Sequence, residues 1–111
     1  MDMAGIRIKA GVQLTGIRPE IVLAIFAASW VYSKYGKPLC ITSGLDGKHS
    51  ATSLHYAGQA VDLRTRHLDK EVAESIAAEL NAALGDHYDV ILEANHIHVE
   101  FQPRYTARTV H

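Results

Sequence analysis

The segment His96-Ile97-His98-Val99-Glu100-Phe101 leaves this chain few options for folding. Side chains alternate along a strand, so Ile97, Val99 and Phe101 share one face while His96, His98 and Glu100 share the other. The first face needs a covering layer to keep it from water. The second gathers two imidazoles and a carboxylate within one strand length. A sheet with its core on one side and chemistry on the other satisfies both. Tyr88 to Glu93 reads as a preceding strand, and the tight Ala94-Asn95 connection suits a hairpin.

The rest of the pattern supplies the covering layer. Pro19 and Glu20 open a helix, Pro suiting the first turn and Glu the positive end. Ile21, Ile25, Ala28 and Tyr32 form one stripe and Val22, Phe26 and Trp30 the next. An apolar surface wrapped this far around predicts a central helix with Trp30 in the core, ended by Gly36 and Pro38. Leu39 to Thr42 reads as a strand and Ser43 to Ser53 as a loop of turn formers. Gln59 to Thr65 alternates again, with Val61 and Leu63 on one face and Ala60, Asp62 and Arg64 on the other. A second helix has Asp69 as N-cap, a Val72, Ile76, Leu80 stripe and Gly85 as its stop. The order predicts an α+β fold: a small, largely antiparallel sheet packed with two main helices, in a single domain over 1–111. The tail from Gln102 to His111 is expected to pack loosely.

Composition removes several functions. Eleven Lys and Arg against 12 Asp and Glu leave a net charge of −1 and no basic stripe in the sequence, which argues against nucleic acid as a partner. Cys40 is the only cysteine, so there is no intrachain disulfide and no cysteine-rich zinc finger. Ile21 to Ser33 is the longest uncharged run, short of the roughly 20 residues of a membrane span. The N-terminus lacks the basic-then-apolar order of a signal peptide, so a soluble monomer made in the cytoplasm, with no membrane partner, is expected.

Seven histidines in 111 residues stand out, and their placement points to a metal. Asp62 sits mid-strand in an apolar segment, where a carboxylate needs compensation. A metal shared with His55 and the hairpin histidines would supply it. Two nitrogens and one oxygen leave a fourth position open, as in catalytic zinc sites. The plainer alternative is a surface His55 with Asp62 paired to Arg64 or Lys48.

Ser53, His55, Gly58, Ala60 and Asp62 match Ser-x-His-x-x-Gly-x-Ala-x-Asp at every defined position, and His96-Ile97-His98 supplies a His-x-His near the end. With the Ile41-Thr42-Ser43-Gly44 lead-in, the chain resembles the zinc D-alanyl-D-alanine carboxypeptidase and endolysin peptidase family over Pro19 to Phe101. That family belongs to the group that includes lysostaphin-type enzymes and the hedgehog domain. The resemblance implies a hedgehog-like metallopeptidase fold with Zn2+ held by His55, Asp62 and His98. His96 becomes the general base and Glu93 its rival; in a Glu-x-x-His register His96 would be the ligand instead. Ser53 would orient the metal-site loop. Where the family carries an Arg after the Ser-Gly pair this chain has Asp46, so Lys48 or Arg64 would have to hold a substrate carboxylate.

The remaining histidines, His49, His67, His87 and His111, read as surface groups, and Cys40 as a small core residue. The implied activity is hydrolysis of peptidoglycan stem peptides, by carboxypeptidase or endopeptidase action, in cell-wall lysis with a phage as one source. Such an enzyme acts on the wall after release or as part of a virion. Two other readings stand beside it: a non-catalytic zinc-containing binding module of the same fold, and a metal-free structural domain.

Overall fold

The computed structural model describes residues 5–46 and 54–103. Five strands and two helices appear in the order β1 (Ile6–Ile8), α1 (Pro19–Lys34), β2 (Leu39–Ser43), β3 (Ala60–Arg64), α2 (Lys70–Leu84), β4 (Tyr88–Leu92) and β5 (His96–Phe101). They form a small α+β domain around one sheet of order β1-β2-β3-β5-β4. Every pairing is antiparallel except β1 with β2, which α1 connects as a crossover.

The alternation in β3 and β5 sets the sheet's two faces. Val61, Leu63, Ile97 and Val99 are buried and join Leu39 and Ile41 beneath the helices. α2 covers them with Ile76 and Leu80, fully buried, and each such side chain contributes ~1.5–3 kcal/mol relative to exposure. Asp69 stands at the N-cap of α2 as expected, but its side chain makes no capping hydrogen bond. Gly85 ends that helix at φ 84°. No described helix is long and apolar enough to cross a membrane.

Two features depart from the expected pattern. β1 is a strand that the sequence reading did not anticipate, because three residues are too few to show alternation; its pairing with β2 sustains it. The α1 stripe of Ile21, Ile25, Ala28 and Tyr32 is buried, whereas Leu23, Phe26 and Trp30 are 64%, 62% and 58% exposed. Trp30 is therefore not a core residue. α1 lies on the outside of the sheet, and no described element covers its outer side. A helix apolar all round does not say which side turns inward.

Tyr32 locks α1 to the sheet. Its buried hydroxyl donates to the Arg64 carbonyl at 2.8 Å, fixing the end of β3. The loop entering β3 is held as firmly. Gly58 has φ +72°; its N–H donates to the His55 carbonyl, and its carbonyl accepts from the Arg18 N–H at 2.9 Å. A Cβ there would stand 2.5 Å from the Gly16 carbonyl oxygen. Gly58→Ala combines left-handed backbone strain with overpacking, so it should cost about 2–4 kcal/mol. Thermal unfolding should show a Tm lower by roughly 10 °C or more; an unchanged Tm would mean that this close approach does not exist.

Candidate metal centre

The polar face of the sheet assembles its groups through strand register. Asp62 on β3 lies directly opposite His98 on β5, and Arg64 opposite His96. His55 reaches the same point from the segment before β3 and is buried there. Asp62 Oδ1 is 3.0 Å from His98 Nδ1 and 3.4 Å from His55 Nε2, and the two imidazole nitrogens are 3.3 Å apart. Donor atoms bound at ~2.0–2.1 Å to one tetrahedral ion stand about 3.3–3.4 Å apart. The three groups therefore fit a single zinc-sized ion, and they form the one such His/Asp cluster among the described residues.

Their outer hydrogen bonds suit the same role. His55 Nδ1–H donates to the Gly44 carbonyl at 2.9 Å, which turns Nε2 toward Asp62 and His98. His98 Nε2 is 2.8 Å from Glu100 Oε1, so Nε2–H donates outward and Nδ1 faces inward. A carboxylate behind a ligating imidazole fixes ring orientation and raises basicity. Sequence reading assigned Glu100 no role, although its position two residues after His98 on one strand face is the signal that finds it. Glu100→Gln should weaken zinc affinity about 10–100-fold in a competitive chelator titration; an unaltered affinity would remove Glu100 from the site.

The Gly44 carbonyl is itself braced. Asp46 Oδ1 accepts from the N–H of Gly44 at 2.9 Å and of Gln13 at 2.8 Å. A Cβ on Gly44 would lie 2.4 Å from the Gln13 carbonyl oxygen, so only glycine allows this approach. Asp46 thus holds the Gly44 backbone in place behind His55.

The electrostatics follow from this crowding. Burial pushes the Asp62 carboxyl up, but hydrogen bonds from His55 and His98 outweigh it and hold the group well below the usual carboxylate range. The hydrogen bond to Asp62 raises His98 to about 9, against desolvation and with help from Glu100. The folded, metal-free protein thus keeps a proton on His98 that a metal must displace. Zinc affinity should rise with pH up to about 9 and then level off, with proton release on binding below that pH. Calorimetry in two buffers of different ionisation enthalpy measures that release; its absence at pH 7 would contradict the raised His98.

His96 stands beside the trio. Its Nε2 is 3.8 Å from Asp62 Oδ1 and 2.7 Å from Glu93 Oε1, while Nδ1 lies 2.8 Å from Asn95 Oδ1. His96 and Glu93, the two candidates for the base, are thus in direct contact. Arg64 is half-buried two pairs along the register, opposite His96. Lys48 and Ser53, expected to bind substrate, lie outside the described residues, as do His49 and His111. His67 is not a free surface group: Nε2–H donates to the Pro38 carbonyl at 2.9 Å and the ring stacks on Tyr32. Cys40 is buried on β2, as expected.

No family model and no curated protein matches this chain.

Proposed function

We propose that this protein is a zinc-dependent peptidase that hydrolyses peptide bonds in peptidoglycan stem peptides, of the D-alanyl-D-alanine carboxypeptidase and endolysin kind. One observation carries the reading: two imidazoles and a carboxylate 3.0–3.4 Å apart, with ring tautomers set by Gly44 and Glu100. That donor set suits an ion with a vacant position. Zinc bound there would polarise a carbonyl and bring the pKa of water toward about 7.

His55, Asp62 and His98 would hold the ion. The His96–Glu93 pair would take the proton released when water attacks the peptide carbonyl. It would then return that proton to the amine nitrogen as the C–N bond breaks, leaving a carboxylate and a free amine. The 2.7 Å contact keeps the two groups in one orientation for both transfers. The same sheet could host a non-catalytic zinc module, a reading favoured by Asp46 in place of the family's arginine. Incubation with purified peptidoglycan separates them. The zinc-loaded protein should release new amine termini and the His55→Ala variant should not. No release by the loaded protein would leave the binding module.

A further inference from the structure

α1 uses one of its two faces. Ile21, Ala24, Ile25, Ala28 and Tyr32 are buried against the sheet, whereas Val22, Leu23, Phe26 and Trp30 are exposed on the outer side. No charged side chain stands between Glu20 and Lys34, a stretch that takes in nearly the whole helix. The Ser33 hydroxyl, near the end of this side, is already bound to the Trp30 carbonyl at 2.8 Å. A surface helix ordinarily turns a charged face to solvent; here water meets an apolar strip. Taking ~150–250 Å² for a whole aromatic side chain, Phe26 and Trp30 leave about 250 Å² in water, and Val22 and Leu23 add roughly another 150 Å². A contiguous patch of that size marks an interaction surface.

The residue pattern also says what fits against it. Glu20, Leu23, Ala27, Trp30 and Lys34 follow the alternating three- and four-residue spacing of a helix-pairing seam, with Phe26 beside it. Ala27 is small and central, so a second helix can approach closely. Glu20 and Lys34 stand equally far from it in opposite directions and carry opposite charges. Turned end for end, the stripe is therefore its own complement. Glu20 makes no ion pair among the described residues, and Lys34, 3.0 Å from Glu79, keeps its side chain half exposed. Two helices set antiparallel also place opposite dipole ends together.

We propose that α1 pairs antiparallel with α1 of a second copy of this chain, about a two-fold axis beside Ala27. Leu23, Phe26 and Trp30 of each copy cover those of the other, and Glu20 of one reaches Lys34 of the other at both ends. A contact of this kind uses the same patch twice and closes on itself, so assembly stops at two copies. The pair removes about 800 Å² of apolar surface, and its polar rim brings the total near the ~1,200 Å² of the smallest specific interfaces. α1 lies on the core face of the sheet, so both candidate metal centres stay open on the opposite faces. The pairing is independent of the chemistry at those centres.

An interface of this size gives a Kd on the order of tens of micromolar. In sedimentation velocity, the weight-average mass of the full chain should rise from 12.2 kDa toward twice that value as concentration crosses this range. Trp30 is the one tryptophan of the chain, so its emission should move to shorter wavelength in step with the mass. Leu23→Glu and Trp30→Glu should each hold the chain at one copy, with thermal unfolding close to that of the parent. Glu20→Lys, which sets two like charges together at both ends, should weaken pairing about fivefold. Glu71→Lys, the same charge change on the exposed side of α2, should leave it unchanged. A mass that stays at 12.2 kDa throughout would overturn the proposal. Short-wavelength emission from that single chain would then assign the face to residues 104–111 or another part of the same molecule. Pairing that survives both Leu23→Glu and Trp30→Glu would place the contact elsewhere and equally overturn it, and equal effects of Glu20→Lys and Glu71→Lys would overturn the antiparallel arrangement.

Discussion

Alanine at His55, Asp62 or His98 should empty the metal site, each reducing zinc affinity on the order of a thousandfold. Structural zinc in four-ligand zinc-finger peptides contributes ~10–16 kcal/mol, so a single ligand carries about 3–4 kcal/mol. Metal analysis after dialysis against a weak chelator should find near-stoichiometric zinc in the parent and little in each variant. Trp30→Ala, altering a residue 58% exposed on the far side of α1, should keep its zinc. The three losses should be strongly non-additive, because the second removal acts on a site the first has already emptied. Full zinc in all three variants would sink the centre, whatever the distances between the side chains.

His96→Ala should separate chemistry from metal binding. Its Nε2 touches Glu93 and lies 3.8 Å from Asp62, outside the three inward-facing donors. Zinc content should therefore hold while release of amine termini falls about 10²–10⁴-fold, the usual worth of a positioned acid–base group. Glu93→Gln should cause a smaller loss in the same direction, since it leaves the imidazole in place but removes its 2.7 Å partner. The opposite pattern is equally readable. If His96→Ala empties the site and His98→Ala does not, His96 is the ligand and Glu93 alone handles the proton.

The parts of the fold legible in the sequence were those with enough length to show a period. α2 spans almost the residues its Val72, Ile76, Leu80 stripe and Gly85 stop predict, and β5 is His96–Phe101 as its alternation requires. β1 was illegible because Ile6-Arg7-Ile8 has no pattern of its own; its parallel pairing with Leu39 to Ile41 exists only once α1 has crossed over. Trp30 misled because burial was inferred from hydrophobicity, and α1 has more apolar surface than the described sheet and α2 cover. Within the site, the alternation that aims His98 and Asp62 away from the core was visible. The roles of Gly44, Glu100 and Asp46 were not, since each depends on which backbone group lies across a loop or beside a ring.

Residue order by itself decided which side chains could share a face: strand alternation is a local steric rule, and it commits His96, His98 and Glu100 to one side wherever the strand is placed. Tertiary structure alone decided that Asp62 faces His98 across a strand pair, that His55 meets both, and that α1 meets the sheet through Ile21, Ile25 and Ala28 rather than Phe26 and Trp30. Those meetings depend on register and crossover between segments far apart in the chain. Non-local pairings of that kind are settled by the free energy of the whole core, which no short stretch of residues encodes.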